Sequence, residues 1–374
     1  MCHLVAMVVL ELYFKGAELT EALLPNVILP LHRRLQGGGG GLSRVLLTYK
    51  GRPSEKDNPR DAETLRAALP AEVAVSAVWS AKNAYVGSGK NARGPHLNRE
   101  EATYAKFVEY NREMEAAGAS SILVVSGAGG KKTLDSCGTL SRAASSAPPS
   151  LPLGVAFNPH IGGVLDPYCG EEQREQEWSR LRQKIRSGAA QVWIAFGADV
   201  AALEFGLVRL QQEITDLSTE QPGCQTPRVF GSVFVPCKAW IAKMRFRCWN
   251  GTFLGPKDEP GAYLSSIECA QQVTRQTLKL FDRYGVEVVV ESSVRTAREV
   301  EQVMEMLADD SAAAVEVEAG VQKLPQQQIE SLPTHSTCGL PVDQAAVPGG
   351  VKESEQKRLR LQETPPAEEP TADA

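Results

Sequence analysis

Eight short apolar runs punctuate the first 292 residues of this chain, and helix-patterned or polar segments separate most of them. The runs are AMVVLELYF (6–14), RVLLTY (44–49), EVAVSAVW (72–79), SSILVVS (120–126), LPLGVAF (151–157), QVWIAF (191–196), RVFGSVFV (228–235) and VEVVVES (286–292). They are mostly continuous in apolar residues rather than alternating, the pattern of parallel strands covered on both faces. Parallel neighbours need a crossover between them. The segments NREEATYAKFVEYNREMEAAG (98–118), EEQREQEWSRLRQKIRSG (171–188) and SSIECAQQVTRQTLKLFDRYG (265–285) are amphipathic and each stops at a glycine, while TAREVEQVMEML (296–307) follows the last strand. Eight such units predict an α/β fold, a single closed (β/α)8 TIM barrel over residues 1–310; an open doubly wound sheet is the alternative that the count disfavours. GGGGG (37–41) reads as a flexible insertion in the first crossover.

Beyond Asp310 the chain turns to Pro, Gln, Glu and Ala without periodicity, so 311–374 reads as a disordered acidic tail. Its ten acidic and five basic residues account for the whole net charge of −5. The rest is balanced, with no basic stripe of the kind a nucleic acid partner requires. Eight cysteines lie far apart with no CxxC pair, which argues against a structural zinc site and fits a reducing, cytoplasmic setting. The opening MCHLVAMVVL lacks a basic n-region and reads as a strand, with a preceding segment left open. No apolar run reaches the roughly 18 residues of a membrane span. Self-association into a homo-oligomer is not decided by the sequence.

Barrels of this kind place their chemistry where strands end and loops begin. Glu11 and Lys15 follow strand one, Lys50 and Arg52 strand two, SAKN (80–83) strand three and GAGGKK (127–132) strand four. NPH (158–160) follows strand five, GAD (197–199) strand six, PCKAW (236–240) strand seven, and Glu291 lies at the end of strand eight. Glu11 stands in an apolar strand, where burial raises a carboxyl pKa and suits a general acid; a rim salt bridge is the plainer role. GAGGKK can turn backbone N–H groups toward an anion, but it lacks both GxxxxGK[ST] and GxGxxG, and alone reads equally as an exposed turn. His160 has no second ligand at metal spacing, so no metal site is expected. Trp240 is either a platform for a flat ring or a core aromatic. Asp135 reads as a helix cap. Glu177 and Lys184, seven apart, share one helix face, by default a surface one.

Several of these pieces, taken in order, resemble the methylenetetrahydrofolate reductase family of flavin-dependent barrels. They are ELYF at strand one, AAGASSILVVSGAGG, GVAFNP, EWSRLRQKIRSGAAQVWIAFGADV and GVEVVVESSVRTAREVEQV. MRFRCWNGTFL (244–254) and AYLSSIECA (262–270) are similar to a divergent branch of it. The resemblance covers about residues 6–308. It implies FAD at the strand ends, NAD(P)H as electron donor, and reduction of 5,10-methylenetetrahydrofolate to 5-methyltetrahydrofolate in one-carbon metabolism. It implies Glu11 as the general acid toward the folate. Gly127, Asn158, His160, Glu177 and Lys184 would be the FAD-binding positions, and Trp240 would pack over the substrate.

Three departures stand against it. Ala128 replaces the family's aspartate after strand four, Ala195 its glutamine in strand six, and Phe14 with Lys15 the two prolines after the first-strand glutamate. A site that loses polar contacts to its substrate loses discrimination. A non-catalytic relative that binds a nucleotide or a partner protein is therefore the main rival reading. A flavin-free lyase or aldolase using Lys82 or Lys50 is the third.

Overall fold

The strands are rich in Val, Ile and Leu because each must bury side chains on both faces. In the computed structural model, which describes residues 7–12, 14, 17–48, 54–82, 84, 97–126, 134–146, 149–161, 170–220, 225–238, 240–242, 254, 262–292 and 294–308, they form a closed barrel. All pairs are parallel and run in chain order: β1 (Met7–Leu12), β2 (Gly41–Leu47), β3 (Ala74–Ser80), β4 (Ser121–Val125), β5 (Leu153–Phe157), β6 (Gln191–Ile194), β7 (Arg228–Val233) and β8 (Glu287–Val290), which pairs back onto β1. Each overlaps one of the eight apolar runs. The (β/α)8 barrel expected from the sequence is the fold.

Helices α1 (Leu29–Gly37), α2 (Ser54–Ala68), α3 (Leu97–Ala116), α4 (Ser136–Ser145), α5 (Glu171–Arg186), α6 (Val200–Glu220), α7 (Ile267–Arg283) and α8 (Ala297–Ala308) surround it. The helix-ending glycines Gly118, Gly188 and Gly285 all take positive φ, the left-handed turn that stops a helix at little cost for glycine. Asp135 caps α4, its side chain accepting from the Gly138 amide at 2.8 Å. The first crossover departs from expectation. Leu19–Ile28 is a wide π-helical stretch containing Pro25, and α1 continues it. GGGGG is no insertion: Gly37 ends α1, Gly41 begins β2, and Gly40 N–H bonds back to the Leu35 carbonyl at 2.9 Å.

Two cores result. Val8, Leu10 and Leu12 face outward into the layer between sheet and helices, while Val9 turns inward with Leu46, Leu123, Trp193, Phe230 and Val289. Toward the N-terminal end the interior is plugged by Arg44. Its guanidinium donates to the Ser121 hydroxyl at 2.7 Å and to Ser76, and lies 5.4 Å from the Phe230 ring centre. Burial pushes the Arg44 pKa down to about 10. Trp193 and Phe230 stack at 4.4 Å beside it. Among the described residues no helix is long and apolar enough to cross a membrane, and no three His, Cys, Asp or Glu side chains are grouped to hold a metal. The tail expected over 311–374 lies outside the described residues.

Candidate functional site

The barrel that is plugged at one end opens at the other. A cavity of about 400 Å³ lies at the C-terminal mouth, and all eight strands contribute to its wall. The alternation of a strand explains who faces it: with Leu10 and Leu12 turned out, Glu11 turns in. Glu11 is 7% exposed. Glu291 lies across from it on the neighbouring strand, one position past the last registered pair, Leu10–Val290, and also lines the cavity. Thr48 and Ser232 add hydroxyls; Thr48 donates to the Leu12 carbonyl at 2.6 Å. Among the described lining residues there is no lysine, arginine or histidine.

One wall is aromatic. Trp240, half-buried, packs against Phe234 at 4.6 Å and Tyr263 at 5.5 Å, and Phe196 meets Tyr263 at 5.3 Å. Phe196, Trp240 and Trp193 reach the cavity from this cluster and the barrel floor. Trp240 thus serves both roles the sequence left open, as a packed aromatic and as a wall of the site. Ala195 lines the same cavity, so the position where a glutamine was expected does face the site and presents only a methyl group.

A second group of polar residues gathers behind the end of β5. The Asn158 amide donates to the Glu177 carboxylate at 3.3 Å, and the Asn158 side-chain oxygen accepts from the His160 amide at 3.0 Å. The Lys184 ammonium donates to the Ala156 carbonyl at 2.9 Å, while the Ala156 side chain lines the cavity. Lys184 is only 4% exposed; burial lowers its pKa and the nearby Glu177 carboxylate opposes that shift. Glu177 and Lys184 are therefore not a surface pair. They hold the backbone of the strand from which Asn158 projects. Gly127 and the rest of GAGGKK lie outside the described residues, as do Lys15, Lys50 and Arg52.

His160 does not line the cavity. It is 2% exposed and packs on Gly197, where a Cβ would fall 2.3 Å from its ring. Its Nδ1 and the Asp199 Oδ2 have no hydrogen-bond partner among the described residues. Burial pushes the imidazole down to about 4, against a weaker opposing pull from Asp199. The ring is neutral at neutral pH. In the unfolded chain it takes up a proton near pH 6.5, so acid favours unfolding through this group. Stability is lost as pH falls from about 6.5 to about 4, by on the order of 3 kcal/mol. His160→Asn is expected to flatten that part of the pH profile. Urea midpoints for both proteins at neutral pH and near pH 4.5 check it; equal slopes would remove His160 from the account.

The sequence pointed to Glu11, Asn158, Glu177, Lys184 and Trp240, and all five come to the C-terminal end of the barrel. Thr48, Phe196 and Ser232 were missed. Strands apolar on both faces hide which residues turn inward, and only the position of Glu11 could have set the phase.

No family model matches this chain, and no curated protein matches it. Among solved structures it is similar to an uncharacterized protein from Clostridium thermocellum that binds two copies of 5-methyl-5,6,7,8-tetrahydrofolic acid. The identity is 12% over 82% of this chain and 95% of that one, with a TM-score of 0.46. It is also similar to Rhizobium etli pyruvate carboxylase, at 10% identity over 80% of this chain and 26% of that chain, TM-score 0.41. At these identities the likeness is one of barrel architecture.

Proposed function

We propose that this chain is a flavin-dependent reductase that passes hydride from NAD(P)H by way of FAD to 5,10-methylenetetrahydrofolate, giving 5-methyltetrahydrofolate. The observation that carries the reading is the placement of Glu11: a buried carboxyl inside an apolar, aromatic-walled cavity at the catalytic end of the barrel. The residues present fit the cofactor's demands. Phe196, Trp193 and Trp240 line the cavity with aromatic surface, and Asn158 and Lys184 stand at the adjoining strand end. The Lys184 ammonium gives one of its three N–H donors to the Ala156 carbonyl. A bound FAD supplies the hydride acceptor for NAD(P)H and the hydride donor for the substrate.

The protein's own part is position, water exclusion and one proton. As a carbon–nitrogen bond of the methylene bridge opens, its electron pair stays on nitrogen and the methylene carbon becomes able to accept hydride. Glu11 gives that nitrogen its proton and leaves as carboxylate. Trp240 and Phe196 hold the substrate ring dry. Glu177 and Lys184 fix the end of β5, and with it Asn158, against α5.

A second reading rests on Ala195: a cavity-lining methyl in place of a polar group favours a relative that binds without turnover. The test is an absorbance spectrum of the purified chain followed by anaerobic addition of NADH and then NADPH. Bands near roughly 380 and 450 nm that bleach are expected. A flavin that does not bleach favours the binding-only reading, and absence of flavin after incubation with FAD sinks the cofactor assignment.

A further inference from the structure

The helical layer around the barrel holds a space of its own. Helix α7 packs on α6, and α8 packs on α1. Between α7 and α8 lies a cleft of about 540 Å³, which shares no described lining residue with the barrel mouth. Helical spacing builds its polar wall. Gln271, Thr274 and Arg275 stand at i, i+3 and i+4 on α7, and Gln302, Glu305 and Met306 repeat that spacing on α8, so each set forms one face. Val235 and Pro236, past the end of β7, add apolar surface together with Met306 and Ala308.

One group in this wall distinguishes the cleft from a simple gap between helices. Thr274 is 1% exposed, and its hydroxyl has no hydrogen-bond partner among the described residues. A threonine inside a helix ordinarily turns its hydroxyl back to the carbonyl four residues before it. Thr215 and Thr219 of α6 do so, at 2.8 and 3.0 Å, and Thr274 does not. The Tyr263 hydroxyl stands close to it, but by geometry neither satisfies the other. A buried hydroxyl left this way is costly, and a molecule in the cleft that bonds to it removes the cost.

The rest of the wall restricts what that molecule is. Each glutamine ends in an amide, a donor beside an acceptor, and the complement of that pair is another amide. The Glu305 carboxylate accepts N–H groups and repels a ligand carboxylate. Arg275 lines the cleft as well, with an interaction partner of its own. The apolar remainder takes an uncharged body. We propose that the α7–α8 cleft is a second binding site, for a small uncharged molecule that carries a primary carboxamide on an apolar body, recognised by Thr274, Gln271 and Gln302. None of these residues belongs to the mouth, so the site does not depend on flavin or on the reductase reading.

The probes are benzamide and benzoate, alike except that one ends in a carboxamide and the other in a carboxylate. Ligand-observed NMR titration of the full chain gives an affinity for each. Benzamide is expected to bind more tightly by at least about fivefold, the worth of one hydrogen bond. Thr274→Val keeps the branched shape and removes only the hydroxyl; Gln302→Leu removes one amide. Each is expected to weaken benzamide by about fivefold or more, and the urea midpoint of each variant shows whether it is folded. If one of the two does not fold, the other still decides. No binding of benzamide, benzoate bound as tightly as benzamide, or a benzamide affinity that a folded variant leaves unchanged would each overturn the proposal; the last would place the probe elsewhere, as in the mouth. A chain that takes no flavin yet binds benzamide in this way keeps the cleft and loses the reductase reading. One that bleaches with NAD(P)H and ignores benzamide does the reverse.

Discussion

Glu11→Gln is expected to lower turnover of methylenetetrahydrofolate by about 10²–10⁴-fold, the usual contribution of a positioned general acid. The amide has nearly the same shape and still donates a hydrogen bond, but it has no proton to give at a useful pKa. The loss should therefore appear in kcat more than in KM, and bleaching of the bound flavin by NAD(P)H should persist, because that half-reaction does not need the proton. The urea midpoint of the variant shows whether it is folded, so that a loss of turnover is not mistaken for a loss of structure. A Gln variant that turns over like wild type would leave Glu11 as a structural carboxylate. A variant that fails to bleach would show that the substitution disturbed the cofactor site.

The barrel was readable because parallel strands advertise themselves. Val8, Val9 and Leu10 are all fully buried, so β1 carries no polar break until Glu11, and that break is itself the clue to the site. The first crossover was not readable. Pro25 and Pro30 argue against a helix, yet Leu19, Leu23, Val27, Leu31 and Leu35 keep a buried stripe through both prolines. A wide turn absorbs Pro25, with the Leu29 amide bonding five residues back to Leu24. Periodicity also misplaced Glu177 and Lys184, which look like a solvated face on α5. It records where a side chain stands on its helix and not what the helix leans on, and here that is the end of β5. The placement of those two residues came from likeness of sequence, and physics supplied the reason only once the strand end was in view.

The site depends on walls set by packing far from its polar groups, and β7 shows where that packing is tightest. Ser232 turns into the cavity, so its neighbour Gly231 turns out toward α7. There Phe281, 1% exposed, fills the space a side chain would need: a Cβ on Gly231 would lie 2.2 Å from the Phe281 Cζ and 2.6 Å from both Cε atoms. Phe281→Ala is expected to cost about 3–5 kcal/mol, from lost burial and the cavity left behind. Gly231→Ala, a change of one methyl group, is expected to cost about 1–3 kcal/mol because the ring must leave its rotamer or the helix must withdraw. The two effects should not add. With leucine at 281 the ring is gone and the methyl group finds room, so Gly231→Ala in the Phe281→Leu background should cost at least about 1 kcal/mol less than it does alone. Urea unfolding of the four proteins measures this directly. Additivity within about 0.5 kcal/mol would mean that the ring does not hold β7 in place. A coupling of the expected size would identify the Phe281 contact as what sets the position of the strand that carries Ser232 into the mouth.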